Sequence, residues 1–172
     1  MSETPAGDNA NPNPNGEGEE GSAPSLSIVA QYIKDLSFEN PLAPNRAPDQ
    51  EGGPNIEIQV NVNGRQLSDD DSEVAMQFRV EAKTGDQTAF IVELVYAAVF
   101  KIQGVPPESM KPVLLIEAPR LIFPFARRIL SDVTRDGGFP PLLLEPINFA
   151  ALYQQNLAAE QAAADKPESP DA

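Results

Sequence analysis

The sequence predicts an α+β fold in which an antiparallel sheet is followed by helices. In the first hundred residues, several segments alternate apolar and polar side chains, which is the two-residue period of half-buried strands. Short polar turns join the later segments, and turns this short connect antiparallel strands. After Gly104 the apolar residues become dense and the alternation ends, which indicates helices.

Both ends of the chain predict disordered acidic tails. Residues 1–23 combine Pro, Gly and Asn with five acidic residues and no basic one, so they cannot bury enough apolar surface to offset the entropy of ordering. The C-terminal residues 159–172 are predicted to be a second disordered tail. A single domain over residues 24–158 remains between the tails.

The first ordered segment, Leu26 to Glu39, fits two interpretations. Apolar side chains occupy most even positions, which predicts a strand, but Ile28, Tyr32 and Leu36 also share one face of a helix. β-branched and aromatic residues, and prolines directly after the segment, favour the strand. A long connection, residues 40–54, follows; it contains one large apolar residue, Leu42, and no aromatic residue. Connections of this length are often functional.

The central segments are the clearest strands. Apolar residues alternate with polar ones from Ile56 to Val62 and again from Val74 to Ala82. The strand Gln87–Gln103 is apolar on both faces, so a second layer must cover it, either helices or another subunit. Residues 142–144 form a short extended run, and a final amphipathic helix begins at Phe149 and continues weakly to Ala164.

The helical region from Pro107 to Asp136 is apolar on several sides. We expect Pro112, Pro119 and Pro124 to kink or divide it, because proline lacks the backbone N–H that an α-helix requires. A helix this apolar indicates burial in a body larger than one chain, and therefore an oligomer. The interface is predicted at Leu121, Ile122, Phe123 and Phe125.

Composition excludes several classes of function. The 172 residues contain no Cys and no His, which removes thiolate nucleophiles, Ser-His-Asp triads and most transition-metal sites. A net charge of −14 argues against binding of nucleic acid or anionic membranes, and no nucleotide-binding glycine motif occurs. Asp69–Asp71 could hold a hard cation in a metal enzyme, but consecutive acids in a turn are more often solvated. We predict no cofactor and no catalysis. With no signal-peptide pattern and no apolar run long enough to insert into a membrane, we expect a cytoplasmic protein.

Three parts of the chain resemble the SecB family of protein-export chaperones. They are Tyr32–Pro44 (YIKDLSFENPLAP), Thr88–Glu93 (TAFIVE), and Ala118–Arg127 (APRLIFPFAR) together with the later GFPPL and PINF runs. The resemblance extends from Leu26 to Leu157. It implies a four-stranded antiparallel sheet with helices packed on one side, and a homotetramer made of two dimers. It also implies ATP-independent binding of unfolded secretory preproteins and delivery to the SecA motor.

The resemblance also implies two sites. Asp35, Glu39, Ile91 and Glu93 would contact SecA, and alternation places Asp35 with Glu39, and Ile91 with Glu93, on outward faces of their strands. Unfolded clients need long, adaptable apolar surface, for which the candidates are Leu42, Phe149, Leu152, Tyr153 and Leu157. Alternatively, the last helix simply packs on the sheet. A different hypothesis for the whole protein is a small acidic adaptor that binds one folded basic partner.

Overall fold

The computed structural model describes residues 23–45 and 53–164. Most of the two predicted tails, residues 1–22 and 165–172, lies outside the described residues, as do residues 46–52 of the long connection. The strands are β1 (Ser25–Glu39), β2 (Asn55–Gln66), β3 (Asp71–Thr84) and β4 (Gln87–Gln103). The helices are α1 (Pro107–Pro112), a π-helical turn (Val113–Glu117), α2 (Ala118–Asp136) and α3 (Phe149–Ala164). The α+β prediction and the strand interpretation of the first segment are confirmed.

The strands form one antiparallel sheet in the order β1-β4-β3-β2. Strands β2, β3 and β4 follow one another as a meander because short turns join them. Strand β1 instead pairs with β4, so the long connection after β1 leads from one edge of the sheet to the other. Both β1 and β2 are therefore edge strands, with one side of each backbone unpaired within the described chain.

One face of the sheet forms the core against the helices. The alternating apolar residues of β3 and β4 that point to this face are buried: Val74, Met76, Phe78, Val80, Ala82, Phe90, Val92, Leu94, Tyr96, Ala98, Phe100 and Ile102. From α2, buried Ile122, Ala126 and Leu130 recur every four residues and complete the core. The predicted helical layer on one side of the sheet is thus confirmed, and among the described residues no helix covers the opposite face.

Prolines divide the helical region at two of the three predicted positions, Pro112 and Pro119. Pro119 has no N–H to donate to the carbonyl of Leu115, and just before it the chain widens into the π-helical turn, where the Ala118 N–H reaches the Val113 carbonyl. In contrast, α2 continues through Pro124. The helix ends at Asp136, and a Cβ added at the following Gly137 would overlap the ring of Phe38, so a larger residue there would have to displace that ring.

Residues 159–164 belong to two of the predictions, the weak end of the last helix and the start of the C-terminal tail, and the structure agrees with the helix. In the structure they are the last turns of α3. They are exposed, so burial in the core does not explain their conformation. The reason is local: most of these residues are alanine, which has the highest intrinsic helix propensity.

Candidate protein-binding surfaces

The uncovered face of the sheet, here called the outer face, brings the predicted SecA-contact residues together. In the register of β1 and β4, Glu39 lies opposite Ile91, and Asp35 lies opposite Val95. Glu93 lies opposite Ser37, between the Glu39–Ile91 pair and the Asp35–Val95 pair. Directly paired residues share a face, so all four predicted residues lie at one end of the β1–β4 pair on the outer face.

A buried carboxylate ties three strands together on the same outer face. Glu73 of β3 accepts hydrogen bonds from the Tyr32 hydroxyl at 2.5 Å, the Lys34 Nζ at 2.9 Å and the Arg65 Nε at 3.1 Å. To reach Glu73, the Tyr32 side chain crosses β4, where the residue opposite it is the fully buried Ala97. The Glu73 side chain is only 7% exposed. This cluster, the Glu73 cluster, links β1, β3 and β2 without a helix.

The Glu73 cluster strongly favours the ionised carboxylate. The hydrogen bond from Tyr32 and then that from Lys34 are the main causes that lower the Glu73 pKa from 4.5 to about 2, with burial opposing them and Arg65 adding a smaller effect. The same hydrogen bond raises the pKa of Tyr32, because the phenol donates to the carboxylate only while it is protonated.

A groove of about 530 Å³ separates edge strand β2 from α3. The leucines of the π-helical turn, Leu114 and Leu115, line it together with Tyr153 and Leu157 of α3. Polar groups from β2 and the helices complete the lining: Asn61, Asn63, Lys111, Asn156 and Glu160. The groove therefore combines an apolar lining with hydrogen-bonding groups beside an unpaired strand edge.

Only part of the predicted client surface faces this groove. Tyr153 and Leu157 line it, but Phe149 is 1% exposed and its ring lies 5.9 Å from that of Phe123, within the core. Leu152 is half-buried against the core. Leu42 is half-buried in the turn after β1 and does not line the groove. Phe149 is thus corrected from a client contact to a core residue, because the first turn of α3 packs on α2.

The predicted oligomer interface is corrected in the same way. Ile122 and Phe123 are 0% and 7% exposed, because these positions of α2 point toward the sheet, and a second subunit cannot reach them. Leu121 and Phe125 are 46% and 40% exposed on the opposite side of the helix. Of the four residues, only these two remain available for an interface.

Sequence reasoning missed the residues of β2 and the π-helical turn that line the groove. A Cβ added at Gly64 would lie 3.3 Å from the Cβ of Leu114, so this glycine allows β2 and the helical turn to approach closely. A glycine inside an otherwise regular strand often marks such a close approach, and this was the available signal.

Within the described ranges, no cluster of acidic side chains is arranged to hold a metal ion. Asp70 accepts a hydrogen bond from Gln103 and Asp71 from Ser68, both at 3.3 Å. No helix in these ranges is both long and apolar enough to cross a membrane.

An open sheet face and an amphipathic groove define a protein whose described surfaces suit the binding of other polypeptides. The family model described as preprotein translocase subunit SecB matches residues 19–160, and the chain belongs to this family. The protein is therefore a protein-export chaperone. Membership of a chaperone family agrees with the prediction of a non-catalytic protein and does not favour the small adaptor.

Named relatives support this assignment over most of the chain. The protein-export protein SecB of Mesorhizobium japonicum is 52% identical over 149 residues, covering 87% of this chain and 89% of that protein. The SecB of Agrobacterium fabrum is 53% identical over 142 residues, covering 83% and 89%. The solved structure of a Mycobacterium tuberculosis SecB-like chaperone, in complex with a ChAD peptide from the HigA1 antitoxin, has a TM-score of 0.60 at 16% identity and covers 71% of this chain and 90% of that one. This last similarity concerns the fold alone.

Proposed function

We propose that the chain holds extended segments of unfolded secretory preproteins in the groove beside β2 and passes them to SecA docked on the outer face. The observation that carries the client site is the position of the groove, which lies directly next to an edge strand. An extended peptide can pair with the free backbone groups of such a strand whatever its sequence, while apolar side chains enter the groove.

The groove suits many different clients because its apolar lining does not select strongly among client side chains. Leu114, Leu115 and Leu157 offer apolar contact, and each client side chain buried against them contributes about 1–2 kcal/mol. The ordering of an unfolded chain offsets much of this gain, so tight holding requires contacts on several subunits. No nucleotide takes part in this scheme, and release depends on the partner that receives the client.

Suppression of aggregation of a denatured preprotein tests the groove. Leu157→Asp places a charge among the apolar lining, and we expect it to reduce holding severalfold. Gln155→Asp adds the same charge to an exposed position of α3 outside the groove and serves as the matched control. Leu42→Asp tests whether the client surface extends into the connection after β1. If Leu157→Asp holds the preprotein as well as the control does, the groove assignment is wrong.

Docking of SecA is supported by the charge and position of the four outer-face residues. Asp35 and Glu39 are exposed and, within the described chain, form no ion pair, so they are free to attract a basic partner. Ile91 adds apolar contact beside Glu39. Titration with SecA should give weaker binding for Asp35→Ala and Glu93→Lys, while Glu117→Ala, an exposed carboxylate on the helical side, leaves the affinity unchanged. Equal affinity in all three variants would refute the docking site.

A cytoplasmic homotetramer, built as a dimer of dimers, completes the proposal. Strand β1 is an edge of 15 residues whose Ile28, Ile33 and Leu36 are 39%, 46% and 39% exposed, although the β4 residues opposite them are buried. Together with Leu121 and Phe125, these side chains supply exposed apolar surface of the kind that a second subunit covers.

A further inference from the structure

A depression of about 400 Å³ lies on the outer face beside the proposed docking residues. Asp35 of β1 and Glu93 of β4 line one side of it, and Arg79 of β3 lies across from them. Amide side chains form much of the remaining lining: Gln59, Asn61 and Gln77. The depression thus extends from β1 toward β2, and its lining is polar and apolar in about equal parts.

The depression is lined by two negative side chains and one positive side chain. Arg79 lies directly opposite Glu93 in the β3–β4 register and forms an ion pair with it. Asp35 has no ion-pair partner within the described chain. The amides are neutral and can donate or accept hydrogen bonds. One negative charge therefore remains unpaired, which matches a single cationic side chain.

We propose that Arg79 is a built-in competitor for Glu93 at this depression, so that a lysine or arginine side chain of a basic docking segment must compete with Arg79 for that carboxylate. An incoming cation binds between Asp35 and Glu93, where it must share or displace the existing ion pair between Glu93 and Arg79. Arg79 thus weakens docking and favours segments whose charge is placed well enough to compete. This role rests on the proposed docking of SecA to the outer face.

Calorimetric titration of the full chain with SecA at low salt tests the role of Arg79. Arg79→Gln removes the competitor and retains most of the side-chain bulk, so we expect the affinity to increase about two- to fivefold, the range that exposed ion pairs allow. Lys101→Gln is the matched control. It removes the same charge from the outer face, eight positions along β4 from Glu93, about 27 Å at ~3.4 Å per residue.

A double-mutant cycle separates a specific effect from a general change in charge. In a Glu93→Gln background, Arg79→Gln should have no more effect than Lys101→Gln, because the ion pair is already absent. Thermal unfolding of each variant verifies that the sheet is intact.

The outcomes distinguish the two proposals. If the wild-type chain does not bind SecA, the docking proposal is refuted, and the role of Arg79 with it. If the wild type binds but Arg79→Gln matches Lys101→Gln, or strengthens binding equally without Glu93, only the role of Arg79 is refuted.

Discussion

Replacement of Glu73 by glutamine tests whether the Glu73 cluster stabilises the sheet. The substitution preserves the shape of the side chain but removes the charge that Tyr32, Lys34 and Arg65 surround. Because the fold lowers the Glu73 pKa from 4.5 to about 2, the ionised form is favoured by roughly 3 kcal/mol. Lys34 and Arg65 are 38% and 66% exposed, so solvent screens part of this interaction. We expect a loss of about 1–2 kcal/mol at pH 7.

The dependence on pH follows from the direction of the pKa change. A carboxylate whose pKa is lower in the folded state contributes its full stabilisation above the unfolded pKa and loses it as the pH falls through the folded pKa. For Glu73 this window runs from pH 4.5 down to about 2. The difference in stability between wild type and Glu73→Gln should therefore be largest at neutral pH and shrink through this window.

Urea unfolding at pH 7 and at pH 3, at equal protein concentrations, measures the difference directly. Glu57→Gln is the control, because Glu57 lies exposed on the same face of β2 and is expected to change the stability by less than about 0.5 kcal/mol. Wild-type stability of Glu73→Gln at pH 7, or a deficit at pH 3 as large as that at pH 7, would contradict the reasoning.

Two further predictions concern the helices. Thr134→Val removes a buried hydroxyl that donates to the Leu130 carbonyl and accepts from the Leu142 N–H, both at 2.9 Å. We expect the free energy of unfolding in urea to fall by about 1–3 kcal/mol. An unchanged unfolding midpoint would contradict this expectation. Phe125→Asp should dissociate the proposed oligomer, as measured by native mass spectrometry. Leu143→Asp is the control and should leave the oligomer intact, because Leu143 is 69% exposed and lies outside the helices. An intact oligomer in both variants would show that Phe125 is not part of the interface.

Much of the fold could be predicted from local pattern. The two-residue period identifies the strands and assigns each side chain to a face, as with Asp35 and Glu39 on β1, because successive residues of a strand point to opposite sides whatever the tertiary context. The period also indicates where helices begin. Local pattern was less successful in α2, where Ile122 and Phe123 resemble exposed apolar neighbours in the sequence but point into the core.

The fold class, the strand faces and the family can be predicted without the structure, because they depend on short-range periodicity and on runs of neighbouring residues. The contacts between distant residues become visible only in the folded chain: Tyr32 with Glu73, Arg79 with Glu93, and Gly64 with Leu114. The physical reason is register. Alternation specifies the face of each strand but not which residues of different strands lie opposite each other, and the groove and the depression both depend on that alignment.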